Sequence, residues 1–155
     1  MPAAQALPRQ EWLASGVGGG LFAGAVMALF LMLATGAGTP WGQPFRAIGA
    51  TFIGAGALEG GAGAIAFGAI LHALTSAVLG LGFVALFPRD FPRASGAVVG
   101  LGYALFAMAI MTSLVVPAVN PAFASAVQPT GGTWVVAHAL FGAVLGLYRA
   151  RGRRA

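Results

Sequence analysis

The sequence predicts an all-α membrane protein with four transmembrane helices. Of its 155 residues, 59% are hydrophobic and only 7% are charged, whereas soluble domains carry about 25% charged residues. A spanning helix needs roughly 20 mostly apolar residues, and four stretches without Asp, Glu, Lys or Arg approach or exceed that length. A surface with so few charges is expected to have the lipid bilayer as its main partner.

The four predicted spans follow one another along the chain, with a short turn between the second and the third. They cover approximately residues 14–34, 62–87, 95–116 and 133–148. The fourth is the shortest. The many glycines within them fit this assignment, because glycine is more frequent in transmembrane helices than in soluble ones.

A further helical pattern occurs in the connection after the first span. In PFRAIGATFIGAGAL, residues 44–58, the apolar residues Phe45, Ile48, Phe52 and Ile53 recur near helical spacing. This pattern predicts a short helix that lies in the outer membrane interface. A re-entrant segment buried within the protein is the alternative.

The arginines predict the orientation of the chain in the membrane. Only Arg46 falls on one side of the predicted spans, and the other seven fall on the opposite side: Arg9, Arg89, Arg93, Arg149, Arg151, Arg153 and Arg154. Because cytoplasmic loops are enriched in basic residues, both termini are predicted to be cytoplasmic, in a bacterial inner membrane. The basic tail, 149–155, is predicted to contact anionic lipid headgroups and not nucleic acid.

A phrase of ten residues occurs twice. Residues 72–81 read HALTSAVLGL, and residues 138–147 read HALFGAVLGL, with eight identical letters. The first span opens SGVGGGL at Ser15, and the third opens SGAVVGL at Ser95. One membrane domain, residues 1–155, made of two parallel helix–loop–helix repeats is therefore expected, with a pseudo-two-fold axis along the membrane normal. The predicted repeats are 14–87 and 95–149.

Small residues recur at every fourth position of the predicted spans. Such rows let helix backbones approach closely, which favours association of helices within a bilayer. The predicted packing residues are Gly16, Gly20 and Gly24 in the first span, Gly68, Ser76 and Gly80 in the second, Gly96 and Gly100 in the third, and Gly142 and Gly146 in the fourth.

The only two histidines, His72 and His138, head the repeated phrase and lie on the same helix faces as the small residues. The preferred hypothesis is structural: each neutral imidazole donates a hydrogen bond to a carbonyl or hydroxyl of a neighbouring helix. Hydroxyl partners are available at Thr75, Ser76, Thr112 and Ser113.

Two other roles for the histidines remain open. His72 and His138 on facing helices are possible axial ligands of one b-type haem, for which Arg46 is the only outer cation available to hold a propionate. Alternatively, the pair lines a pathway for protons or a small solute, because imidazole titrates near neutral pH. The predicted spans contain no carboxylate, which most coupled transporters require.

The composition argues against several other classes of protein. The chain has no cysteine, which excludes disulfides and thiolate metal sites, and no metal site is predicted. No paired carboxylates, phosphate-binding loop or nucleophile with an oxyanion hole is evident. The expected function is therefore non-enzymatic: a structural or accessory membrane component, as a homo-oligomer or as a subunit of a larger membrane complex.

The sequence resembles the small, Gly/Ala-rich four-helix inner-membrane proteins of bacteria. The resemblance is carried by GLFAGAVMALF, residues 20–30, and by the two phrases HALTSAVLGL and HALFGAVLGL, and it extends over most of the chain. It implies four spanning helices, and it implies no activity, catalytic residue or cofactor.

Overall fold

The computed structural model describes residues 9–34, 40–87, 91–119 and 132–149, and these contain five α-helices and no strand. The all-α prediction is confirmed. A 3-10 turn, Ala55–Glu59, lies between the second and third helices, and the fourth helix continues through a π turn, Met111–Val115, to a last turn, Val116–Val119. The helices are α1 (Arg9–Ala34), α2 (Gln43–Ile53), α3 (Ala62–Leu86), α4 (Arg93–Ile110) and α5 (Gly132–Arg149).

Three of these helices, α1, α3 and α4 with its continuation, are long and apolar enough to span a membrane. Large apolar side chains on their outer faces are exposed, among them Ile70, Leu74 and Val78, which follow each other at four-residue intervals on α3. Such a stripe is suited to contact with the lipid bilayer. The helix α5 is not among the three: it has 18 residues and carries His138 and Arg149.

The four longer helices pack as two close pairs, α1 with α3 and α4 with α5, and α1 also packs against α5. Side chains from all four helices form one core between the pairs. Its buried members are Ala23, Met27, Leu31, Phe83, Val84, Ala104, Ala137, Phe141 and Leu145.

Within each pair, the helix backbones are in direct contact at glycines. A Cβ atom added to Gly20 would overlap the carbonyl oxygen of Ser76, and one added to Gly80 would overlap that of Gly16. In the second pair, a Cβ atom on Gly100 would overlap the carbonyl oxygen of Gly142. No larger residue fits at these positions unless the helices move apart, so the glycines set the helix separation.

The short helix predicted after the first span is present as α2. It begins after Gly42, whose φ of 82° is accessible at low cost only to glycine, and Pro44 occupies its first turn. The helix packs closely on α3, because a Cβ atom at Gly68 would overlap the carbonyl oxygen of Phe45. Gly68 therefore lies at the contact with α2, whereas Ser76 and Gly80, which continue its row of small residues on α3, lie at the contact with α1. The Phe52 side chain of α2 is 54% exposed.

A π turn interrupts α4, and the sequence analysis did not anticipate it. The backbone N–H of Val116 donates to the carbonyl of Met111, five residues earlier. Pro117, next in the chain, has no N–H to donate, and its ring would crowd the carbonyl four residues before it in a regular helix. The wider turn relieves this crowding.

The helix ends that carry arginine lie together. Nη1 of Arg149, at the end of α5, donates to Oγ of Ser15 near the start of α1, at 2.9 Å. Gly16 contacts Val84 near the end of α3, and Gly96 near the start of α4 contacts Gly146. Arg149 is only 7% exposed, so this member of the predicted basic tail is part of the helix packing. Residues 150–155 lie outside the described residues.

Candidate functional site

Both histidines line a single cavity of about 450 Å³, a size typical of sites for small ligands. The cavity lies in the half of the bundle remote from the arginine-bearing helix ends. All five helices contribute to its wall: Met27 from α1, Thr51 from α2, His72 from α3, Ala107 from α4 and His138 from α5. The duplicated phrase thus brings its two imidazoles to the same space.

The His72 side chain is held by the neighbouring helix α1. Its Nε2 lies 2.9 Å from the carbonyl oxygen of Gly24, and the Phe45 ring of α2 meets the imidazole edge-on, with 6.0 Å between centroids. A carbonyl oxygen only accepts hydrogen bonds, so Nε2 is the donor and carries the proton. Nδ1 of His72 is then the nitrogen with the free lone pair.

The His138 side chain is held by its own helix. Its Nδ1 lies 2.8 Å from the carbonyl oxygen of Trp134, one turn earlier, and the indole ring lies beside the imidazole, with 6.1 Å between centroids. Here Nδ1 is the donor, and Nε2 keeps its lone pair. The two histidines occupy equivalent places in the repeated phrase but have opposite tautomers. Only His72 has the partner on a neighbouring helix that the structural hypothesis expected.

The electrostatic character of the cavity follows from these two bonds. Neither Nδ1 of His72 nor Nε2 of His138 has a hydrogen-bond partner among the described residues. No Asp, Glu, Lys or Arg occurs among the described side chains of the wall. The wall therefore includes two imidazoles, each with one ring nitrogen that has no partner among the described residues, and such nitrogens favour a hydrogen-bond donor or a cation over an anion.

The rest of the wall is mainly apolar and includes four hydroxyl side chains. Thr112, in the π turn, donates its hydroxyl to the carbonyl of Met108 at 2.9 Å. Met111 and Ser113 of the same turn also face the cavity. The sequence predicted Thr112 and Ser113 only as possible hydrogen-bond partners of the histidines. It did not predict that these two residues and Met111 line a cavity together. Pro117 was the available signal, because a proline within an apolar span disturbs the turn before it.

All ten predicted packing residues are buried. Gly24 contacts the hydroxyl of Ser76 in addition to accepting the His72 hydrogen bond through its carbonyl. The structure brings the others together at three helix contacts. Gly16, Gly20, Ser76 and Gly80 lie between α1 and α3, Gly68 lies between α3 and α2, and Gly96, Gly100, Gly142 and Gly146 lie between α4 and α5.

The hydrogen bond of His72 and the position of Arg46 bear on the hypothesis that the two histidines bind one haem. His72 directs Nε2 into α1 and not toward His138, so an Nε2 bond to a shared iron would require the Gly24 hydrogen bond to break. Arg46 lies near the side chain of Gln43, with Nη1 3.5 Å from Oε1, and is not part of the cavity wall. The described residues contain no group of three or more His, Cys, Asp or Glu residues able to hold a metal ion.

The chain thus combines three helices that could span a membrane with a histidine-lined cavity that is partly open to the surface. Comparisons of the chain with models of protein families, with curated proteins and with solved structures gave no match.

The opposite tautomers give a prediction that nitrogen NMR tests directly. Because the chain has two histidines, a sample labelled with ¹⁵N-histidine gives two sets of ring signals, which a His138→Gln variant assigns. We expect His72 to be protonated at Nε2 and His138 at Nδ1 under conditions in which both rings are neutral. Identical tautomers at the two positions would contradict the hydrogen bonds described above.

Proposed function

We propose that the chain is a non-enzymatic accessory protein of the bacterial inner membrane that binds a small ligand in the cavity between its helix pairs. The observation that carries this proposal is the cavity of about 450 Å³ that contains both histidines. The cavity is partly open to the surface, so a ligand could enter it, and its volume lies within the range of small-molecule sites. The ligand would be neutral or cationic, since the open nitrogens only accept hydrogen bonds.

Four spans are part of the proposal. The helix α5 is about 27 Å long at about 1.5 Å per residue, slightly less than the hydrocarbon thickness of about 30 Å. It packs along α1 and α4. Contacts with α1 lie near the end of α5, at Arg149 with Ser15, while His138 lines the cavity near its start. A helix in this position is shielded from lipid on two sides, which supports a span shorter and more polar than the other three.

Equivalent contacts support the two parallel repeats. Gly20 approaches the Ser76 carbonyl in the first pair, and Gly100 approaches the Gly142 carbonyl in the second. Residue 20 of the first repeat corresponds to residue 100 of the second, because the matching helix openings begin 80 residues apart. Residue 76 corresponds to residue 142, because the two histidine phrases begin 66 residues apart. The same helix contact thus recurs at matching sites of both units, as expected for a duplicated pair.

Cytoplasmic termini are supported by the common location of the helix ends that carry arginine. Arg93 begins α4 and Arg149 ends α5, and contacts join these ends to the start of α1. Arg46 lies on α2, beside the start of α3 and so at the opposite end. Since basic residues are enriched on the cytoplasmic side, this arrangement supports a location of the cavity in the outer half of the membrane.

The orientation is testable with single cysteines, because the natural chain has none. Gly56→Cys lies in the 3-10 turn after α2, where an added Cβ atom meets nothing, and Ala94→Cys is exposed at the start of α4. We expect a membrane-impermeant maleimide to label Gly56→Cys in spheroplasts. Ala94→Cys and Ala150→Cys, just beyond α5, should react only after lysis. Labelling of Ala150→Cys from outside would contradict the fourth span.

The cavity is testable with two neighbouring cysteine variants of α4. Ala107 lines the cavity, whereas Phe106 is 66% exposed on the outer face of the bundle, where lipid is expected. Methanethiosulfonates react with thiolates, which form where water is present. In lipid nanodiscs we expect a small cationic methanethiosulfonate to modify Ala107→Cys at least about tenfold faster than Phe106→Cys.

Phe106→Cys is the matched control, because it lies at nearly the same depth on the same helix. Equal rates for the two variants, or no reaction at Ala107→Cys while the unfolded variant reacts, would refute an open ligand cavity.

A further inference from the structure

Sulfur atoms accompany the two imidazoles in the cavity. Three of the four methionines among the described residues line its wall: Met27 from α1, Met108 from α4 and Met111 from the π turn. Methionine often serves only to fill irregular gaps in a core. In this case, however, the three methionines line the same wall as both histidines, so five residues with soft donor atoms line one cavity.

The hydrogen bonds of the histidines have the form found around metal ligands. An imidazole that binds a metal usually donates its other ring N–H to a carbonyl or carboxylate, which orients the ring and fixes its tautomer. His72 donates from Nε2 to Gly24, and His138 donates from Nδ1 to Trp134. Each ring is thereby oriented in advance, and its second nitrogen is left able to bind a cation without a change of protonation.

The donor set selects the kind of cation. Thioether and imidazole ligands suit Cu(I), whereas Mg²⁺ and Ca²⁺ prefer carboxylate and carbonyl oxygens. The described wall contains no carboxylate to balance the charge of the ion. The cost of bringing an ion into such an apolar site grows with the square of its charge, and is about four times larger for a divalent ion than for a monovalent one.

We infer that the cavity is a binding site for a soft monovalent metal ion, Cu(I) or its analogue Ag(I). The ligands are drawn from the thioethers of Met27, Met108 and Met111 and from the open nitrogens of His72 and His138. The inference deepens the proposed function and rests on it, because it names the ligand of the same cavity.

The test uses the full chain in lipid nanodiscs under anaerobic conditions, with Cu(I) titrated against a chromophoric Cu(I) chelator. We expect one Cu(I) per chain. Met108→Leu and Met111→Leu nearly conserve side-chain volume and should preserve the fold, yet each should weaken Cu(I) binding by at least about tenfold. Met32→Leu is the matched control, since Met32 lies on α1 outside the cavity wall, and it should leave the affinity unchanged.

A second measurement locates the metal. Addition of Ag(I) to the ¹⁵N-histidine sample should shift the signals of Nδ1 of His72 and Nε2 of His138, which carry the lone pairs, much more than those of the protonated nitrogens. A shift of this kind is not expected if the methionines and histidines serve only for packing.

Absence of Cu(I) binding, or equal affinities for Met108→Leu, Met111→Leu and Met32→Leu, would overturn the inference. If Ala107→Cys still reacts rapidly in that case, the ligand cavity stands and only the identity of the ligand is wrong. If Ala107→Cys is unreactive and Cu(I) is not bound, both the cavity function and the metal site fail.

Discussion

Direct contact between helix backbones, at Gly20 and Gly80 in one pair and at Gly100 and Gly142 in the other, is the constraint on which the rest of the structure depends. Hydrophobic burial contributes little to helix association within lipid, so close packing must hold each pair together. It also brings the Gly24 carbonyl of α1 within reach of His72 on α3. The tautomer of that histidine is therefore a consequence of how closely the two helices approach.

The cavity arises where the two pairs are not joined in the same way. Near their arginine-bearing ends, the pairs share a core that includes Phe83, Phe141 and Leu145. Toward the opposite end, the wider π turn of α4 and the short helix α2 border open space instead. Between these regions, the Tyr103 hydroxyl of α4 donates to the Leu79 carbonyl of α3 at 2.8 Å and bridges the pairs. Close packing within pairs and looser packing between them together produce a site.

The sequence predicted the all-α class and three of the long apolar helices, because hydrophobic length is a local property. Four-residue spacing, which is also local, pointed to the small residues that lie at the helix contacts. It also singled out His72 and His138, through the repeated phrase. It could not predict their hydrogen bonds, since a repeat implies equivalent positions and not equivalent partners: the carbonyl that binds His72 belongs to α1, whereas that of His138 is on its own helix. The methionines of the cavity were missed because Met27 and Met108 lie on different helices, and only the packing brings them together.

The unfolding free energies of three alanine variants, measured by reversible denaturation in mixed micelles, test the backbone contact most directly. Gly20→Ala and Gly100→Ala each introduce a Cβ atom against a carbonyl oxygen at matching sites of the two pairs. Both substitutions should lower the unfolding free energy by a similar amount, about 1–3 kcal/mol. Gly102→Ala, where an added Cβ atom meets nothing, should leave the unfolding free energy unchanged or raise it by up to about 1 kcal/mol, because alanine has a higher helix propensity than glycine. Equal stability of all three variants would contradict the close packing on which the cavity depends.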